Sequence, residues 1–181
     1  MEGGTELNNT KTITALTFTL NEEIFALDIK SVKEVLDYTK ITKIPQTPDY
    51  MLGVINLRGN VAPVVDLKMK FNMPKSEITV NTCIIIVEVE IEGKNQIVGI
   101  LADSVKEVFE FDLKNIEEAP KIGLNIDIDF ILGIAKRDEE FVIILDINKI
   151  FSEKEKEQII GTETETPIES ISKDINLELG E

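Results

Sequence analysis

The pentapeptide Ser31–Val35, SVKEV, occurs again at Ser104–Val108. At the same displacement Leu27 meets Ile100. Further on, Tyr50–Phe71 is mirrored by Phe130–Phe151 in a second register, with Gly53 on Gly133, Asp66 on Asp146 and Phe71 on Phe151. The change of register implies about seven extra residues in the connection at 115–129, the place where a repeat tolerates insertion. One shared pentapeptide is within reach of chance. The same order of hairpin, SVKEV, connector and LG-hairpin in both halves is not. The chain is therefore an internal repeat, and each copy is too small to bury a large core alone.

Each copy reads as β-structure. In residues 14–29, Leu16, Phe18 and Leu20 share one face, Phe25, Leu27 and Ile29 share another, and Asn21–Glu23 is the turn between them. Ser31–Leu36 fits a helical turn or a strand, and the β-branching of Val32 and Val35 favours the strand. Residues 41–44 continue extended until Pro45 and Pro48 stop them. Residues 47–52 are predicted to form a short capped helical turn. It leads into the Gly53–Leu67 hairpin, where Gly59 supplies the positive φ of the knuckle. Pro63 has no N–H, which places its strand at a sheet edge or at a bulge. Lys68–Phe71 closes the unit with a helical or irregular turn. Cys83–Ile91 and Gln96–Leu101 form a second hairpin about Glu92–Asn95.

About five short strands per copy predict an all-β fold of two small closed or nearly closed barrels packed on each other, because neither has enough core by itself. The boundary between copies falls near residue 80, giving intertwined subdomains at roughly 13–80 and 81–151. Residues 152–161 carry helix signals, with Ser152 as the N-cap. Residues 1–12 are predicted to be a flexible terminus and 162–181 an acidic flexible tail.

Composition narrows the function classes. The 181 residues carry 34 acidic and 19 basic side chains, a formal charge of −15. That charge argues against binding to nucleic acid or to anionic lipid. No apolar run approaches the length of a membrane span, and no signal peptide is evident at the N-terminus, so the cytoplasm is the predicted location. Histidine is absent and Cys83 is the one cysteine. The commonest general base and metal ligand are thus missing, and no internal disulfide is available. Asp66 and Asp146 end equivalent strands, and the simplest reading is that each accepts hydrogen bonds from turn amides. The acidic alternations at Glu88–Glu92 and Asp127–Asp129 read as solvated strand faces. No cofactor, metal or catalytic residue is expected. Arg58, lifted on a hairpin knuckle, is the candidate recognition residue, since arginine is enriched at interface hot spots. The valines of the two SVKEV segments are core residues or the floor of an apolar groove suited to a partner helix.

GVINLRGNVAPVVDLKMKF at 53–71, preceded by ALDIKSVKEV and followed by IVGILADSVKEV, resembles the CheW family of chemotaxis coupling proteins. The resemblance runs from about residue 14 to 151, and its NLRG-x-x-x-P-x-x-D-L signature is specific. It implies two SH3-like five-stranded β-barrels and a non-enzymatic adaptor. The implied partners are the cytoplasmic tip of methyl-accepting chemoreceptors and the regulatory domain of the histidine kinase CheA, met in membrane-anchored receptor arrays. By motif position the receptor groove between the barrels includes Val32, Glu34, Gly53, Arg58, Thr82, Gly99, Val105 and Val108. The kinase-docking residues are not implied one by one. The second LG-hairpin, LGIAKRDEEF, departs from the pattern in being charged. Rival readings are a CheV-like or kinase-derived module, a nucleic-acid-binding small barrel, and a hydrolase working through carboxylates without histidine.

Overall fold

The computed structural model describes residues 11–120 and 128–163. The predicted flexible segments lie outside them, except for Lys11, Thr12 and the last two helical residues. Among the described residues eleven strands form two sheets. The first contains β1 (Thr12–Leu20), β2 (Glu23–Asp28), β8 (Ser104–Asp112), β9 (Ile116–Glu117), β10 (Ile131–Arg137) and β11 (Glu140–Leu145), in the order β8-β1-β2-β11-β10-β9. The second contains β3 (Val32–Asp37), β4 (Met51–Leu57), β5 (Asn60–Val65), β6 (Cys83–Ile91) and β7 (Lys94–Ala102), in the order β3-β6-β7-β5-β4.

Both sheets close on themselves. In the first, β8 runs through a 3₁₀ turn at Leu113–Asn115 into β9, so one bent segment forms both ends of the sheet. In the second, Thr42, beyond the end of β3, exchanges two 2.9 Å backbone hydrogen bonds with Val54 of β4. The result is two small five-stranded barrels. Each draws strands from both copies of the repeat. The first barrel joins the first copy's hairpin β1–β2 to β8–β11, and the second joins β3–β5 to β6–β7. The division near residue 80 separates the copies and does not separate the barrels.

Alternation along the strands distributes side chains among three cores. Ala15, Ala26, Phe111, Ala135, Val142 and Ile144 fill the first barrel. Ile55, Ala62, Val64, Ile84, Ile86 and Leu101 fill the second. The largest cluster lies between the barrels, where Phe18, Phe25 and Leu27 meet Ile85, Val87 and Ile100. β6 is therefore apolar on both faces, which is why Cys83–Val87 reads as an unbroken hydrophobic run.

Local chemistry sets the turns. Arg58 and Gly59 both take positive φ, +52° and +86°, in a two-residue hairpin turn whose Asn56 side chain accepts from Gly59 N–H at 2.8 Å. Asp66 and Asp146 cap the four-residue helices α1 (Leu67–Lys70) and α2 (Ile147–Ile150), accepting from Lys68 N at 3.0 Å and Asn148 N at 3.1 Å. Two sequence expectations need correction. Residues 47–50 form a turn, closed by Met51 N to Pro48 O at 2.9 Å, and Met51 already belongs to β4. Of the two placements given for Pro63, the sheet edge is wrong, while the β4–β5 ladder does shift register beside it, where Met51 and Gly53 face Val65 and Val64. Its strand β5 lies between β4 and β7, but pairing with β7 begins only at Val64, past the missing N–H.

The chain continues into α3 (Glu153–Glu163), which ends two residues beyond the predicted 152–161. Ser152 and Glu155 form a reciprocal capping box, Glu155 N to Ser152 Oγ and Ser152 N to Glu155 Oε1, each 3.2 Å. Ile159 is fully buried in the inter-barrel core. Such burial contributes about 1.5–3 kcal/mol. Lys70 pairs with Glu155 and lies 4.7 Å from the centre of the Tyr50 ring and 5.3 Å from that of Phe151. Burial opposes ionisation of Glu155, but Lys70 and the Ser152 amide and hydroxyl outweigh it and hold the carboxyl below the usual range. Burial, then the Glu155 charge, pushes the Tyr50 phenol up.

A Cβ on Gly53 would lie 2.1 Å from the Thr42 carbonyl oxygen, and one on Gly133 would lie 2.2 Å from Ile116 Cγ2 and 2.9 Å from Glu117 O. Both glycines sit where a barrel closes. Gly53→Asp and Gly133→Asp should each cost at least about 3 kcal/mol of stability by chemical denaturation, the scale of severe overpacking. A melting curve equal to wild type for either would refute this role. The Glu155 carboxyl, depressed in the folded state, stabilises above the ordinary glutamate range, and that contribution is lost as pH falls through its folded pKa. Glu155→Gln should therefore melt below wild type at neutral pH and converge with it in acid. A constant gap at all pH values would exclude the ionic contribution.

Candidate partner-binding face

The two SVKEV segments are built alike. The chain leaves the first sheet through a 3₁₀ turn at Ile29–Ser31, capped by Asp28, and enters β3. The β3–β6 ladder shifts register between Val32 and Glu34. Val32 pairs with Val87 and packs on the inter-barrel core, whereas Leu36 pairs with Ile84 and packs inside the second barrel. The register shift thus moves β3 from one core to the other. In β8 the ladder with β1 shifts between Val105, opposite Phe18, and Val108, opposite Leu16. The Thr17 hydroxyl fills this irregularity, donating to Glu107 O at 2.7 Å and accepting from Glu107 N at 3.1 Å. Val32 and Val105 are half-buried on the same inter-barrel core, while Val35 and Val108 are exposed.

The glutamate of each segment meets an arginine from the opposing hairpin. Arg58 Nη2 donates to Glu34 Oε2 at 2.7 Å. In the other barrel Arg137 donates to Glu107, and its guanidinium lies 4.0 Å from the centre of the Phe109 ring. Each pair joins an SVKEV strand to the tip of the LG-hairpin in the same barrel. The settings differ. The Arg58 side chain is 76% exposed, whereas that of Arg137 is 26% exposed. A pair as open as Glu34–Arg58 contributes roughly 0–1 kcal/mol to folding.

The structure sorts the eight sequence-predicted residues into two groups. Glu34, Arg58 and Val108 reach the surface, with Val32 and Val105 half-exposed beside the inter-barrel core. Gly53, Thr82 and Gly99 are buried. Thr82 Oγ1 accepts from Thr79 N at 2.9 Å and staples the connector ahead of β6. A Cβ on Gly99 would come within 2.9 Å of Ile84 Cγ2 and 3.2 Å of Val64 Cγ2, so this glycine permits β5, β6 and β7 to pack. The contacts of these three are with the interior and the connector. A separate cleft of about 370 Å³, walled by both barrels, carries Asp28, Glu88, Glu90 and Asp146 with Lys30, and none of the eight lines it. Cys83 is buried, and burial pushes its thiol up, away from the thiolate.

Sequence reasoning missed the Glu107–Arg137 pair and the exposed side chains of Val61, Leu132 and Phe141. The repeat contained the signal: Glu107 is the copy of Glu34, and Phe141 the copy of Val61. The arginine was hidden because the repeat aligns Arg58 with Asp138, one residue beyond Arg137. Asp138 takes the positive φ of that turn, +53°, and Arg137 reaches the glutamate from the strand end instead.

The family model described as CheW-like domain matches residues 14–155. The chain is 33% identical over 140 residues to the chemotaxis protein CheW of Klebsiella aerogenes, covering 77% of this chain and 82% of that protein. It is also 33% identical over 147 residues to the chemotaxis protein CheW of Bacillus subtilis, covering 80% and 90%. The crystal structure of the scaffolding protein TtCheW from Thermoanaerobacter tengcongensis superposes with a TM-score of 0.70 at 39% identity, over 80% of this chain and 97% of that one. The chain belongs to the CheW-like family as a chemotaxis adaptor.

Proposed function

We propose that this adaptor works without chemistry of its own, joining the cytoplasmic tip of methyl-accepting chemoreceptors to the regulatory domain of the histidine kinase CheA. It does so in the cytoplasm, at arrays anchored by the receptors. Among the described residues no helix is long and apolar enough to cross a membrane. The observation that carries this reading is the placement of Val32 and Val105, one from each copy of the repeat, on a single inter-barrel core with Val108 exposed nearby in sequence. A receptor helix laid across them buries apolar side chains against a surface that is already part of the fold. The kinase docks elsewhere on the barrels, which leaves both partners bound together.

Arg58 acts in this scheme with Glu34 rather than alone. A free arginine would offer its fork to a receptor carboxylate. Here the fork is engaged at 2.7 Å, and the pair presents a fixed polar rim beside the valines. Gly53, Thr82 and Gly99 contribute by holding the strands beneath that rim.

Co-sedimentation of the protein with a chemoreceptor cytoplasmic fragment and CheA tests the reading. Wild type should join the pellet with both partners. Arg58→Ala should keep CheA and lose receptor affinity by about tenfold, near the threshold of a hot-spot truncation, with melting within a few degrees of wild type. Glu34→Ala should match it, and the double variant should lose no more than either single one. Additive losses would place Arg58 directly on the receptor. Binding of wild type to neither partner would remove the coupling role.

A further inference from the structure

The chain passes from the second barrel to the first at Asp103, the single residue between β7 and β8. Four parts of the molecule converge on it. Asp103 N donates to Thr19 O of β1 at 3.0 Å. Its Oδ1 accepts from Lys68 Nζ of α1 at 2.6 Å, and its Oδ2 from Asn21 N of the β1–β2 turn at 2.5 Å. Ser76 Oγ of the connector lies 2.9 Å from the same Oδ2 and 2.6 Å from Asn21 Oδ1. The Lys68 side chain is 2% exposed, and among the described residues it is the one buried cation. Next along the chain, Ser104 Oγ meets Thr19 Oγ1 at 2.7 Å and starts the second SVKEV segment.

The first crossing, at Asp28–Ser31, has no such pair. Asp28 only caps its own turn, accepting from Lys30 N at 2.9 Å, and Lys30 is exposed. The difference matters because the inter-barrel core is apolar, and apolar burial fixes no direction. A charge-assisted hydrogen bond at a one-residue corner does fix one. A buried ion pair contributes little net stability against an apolar replacement, so geometry is the role left to it.

We propose that the Lys68–Asp103 pair is a positioning element for the partner-binding face, setting the corner from which β8 presents Val105 and Val108. This rests on the assignment of the SVKEV face to the receptor. Neither Lys68 nor Asp103 touches the partner. They act through the start of β8, and through Ser76 on the connector that leads to Thr82.

The test uses the full chain with Lys68→Met, Asp103→Asn and Lys68→Arg. Amide chemical shifts and affinity for the chemoreceptor fragment are measured at a temperature where each variant is folded. Lys68→Met and Asp103→Asn should lose about tenfold in affinity, within the range for residues that act without contact. Lys68→Arg should restore it, and amide shift changes should run through Ser104–Val108. Wild-type affinity in the folded variants, or shift changes confined to residues 21, 68, 76 and 103, would overturn the proposal. So would failure of both uncharged variants to fold, which would make the pair a folding requirement. If wild type does not bind the fragment, the receptor assignment fails by itself, and the spread of the shift changes still decides whether the pair positions β8.

Discussion

The pairing of β1 with both β2 and β8 holds the two copies of the repeat in one molecule. Through it the first copy's opening hairpin completes a barrel built otherwise from the second copy. The parallel contacts of β2 with β11 and of β5 with β7 complete the exchange. Separation of the copies therefore breaks both barrels at once. The inter-barrel core follows from the same exchange. Strands that belong to a barrel on one face bury apolar side chains of their other face against the other barrel and the helices beside it. β6 illustrates this, with Ile84 and Ile86 turned into its own barrel and Ile85 and Val87 turned outward against Phe18 and Leu27.

That arrangement explains why the candidate site is a face and not a pocket. The strands closest to the inter-barrel seam carry apolar side chains of which the fold covers only part. Val32 and Val105 rest on the core with one side open. Register shifts in both SVKEV segments switch the strand between cores, so that Val32 and Val105 rest on the inter-barrel core while Leu36 and Phe111 enter the barrels. The polar groups around them are already satisfied within the molecule: Glu34 by Arg58, Glu107 by Arg137, and Asp103 by Lys68 and two neighbours. Such a surface offers a partner apolar area with a rigid polar border, which suits recognition by shape.

Much of this was legible in the residues. Alternation located the strands, glycine and asparagine located the turns, and Asp66 and Asp146 announced their caps. The errors fell where tertiary structure overrode a local rule. Proline-containing residues 47–52 read as a helical turn, but pairing of Met51 with Val65 drew Met51 and Leu52 into a strand and left a plain turn before them. Pro63 read as an edge or bulge residue; its strand is interior, the β4–β5 ladder shifts register beside it, and the parallel ladder begins one residue later. At the site, motif position named eight residues, and three of them are buried. Gly53, Gly99 and Thr82 are restricted by atoms that come from other segments, such as the Thr42 carbonyl, and no reading of neighbours in sequence supplies those atoms.

By itself the sequence determined the elements: the strand periodicity, the turn chemistry, the repeat, and the family to which its motifs belong. These depend on residues near one another in the chain, or on identity between the copies. The tertiary structure alone decided which copy's strands share a barrel, and that Arg58 answers Glu34 while Arg137, one place out of register, answers Glu107. It also decided that Lys68 is buried against Asp103. The physical reason is that a strand's periodicity states how much of it must be buried but not against what. That choice is made by the closure of each barrel and by the need of every buried charge for a partner.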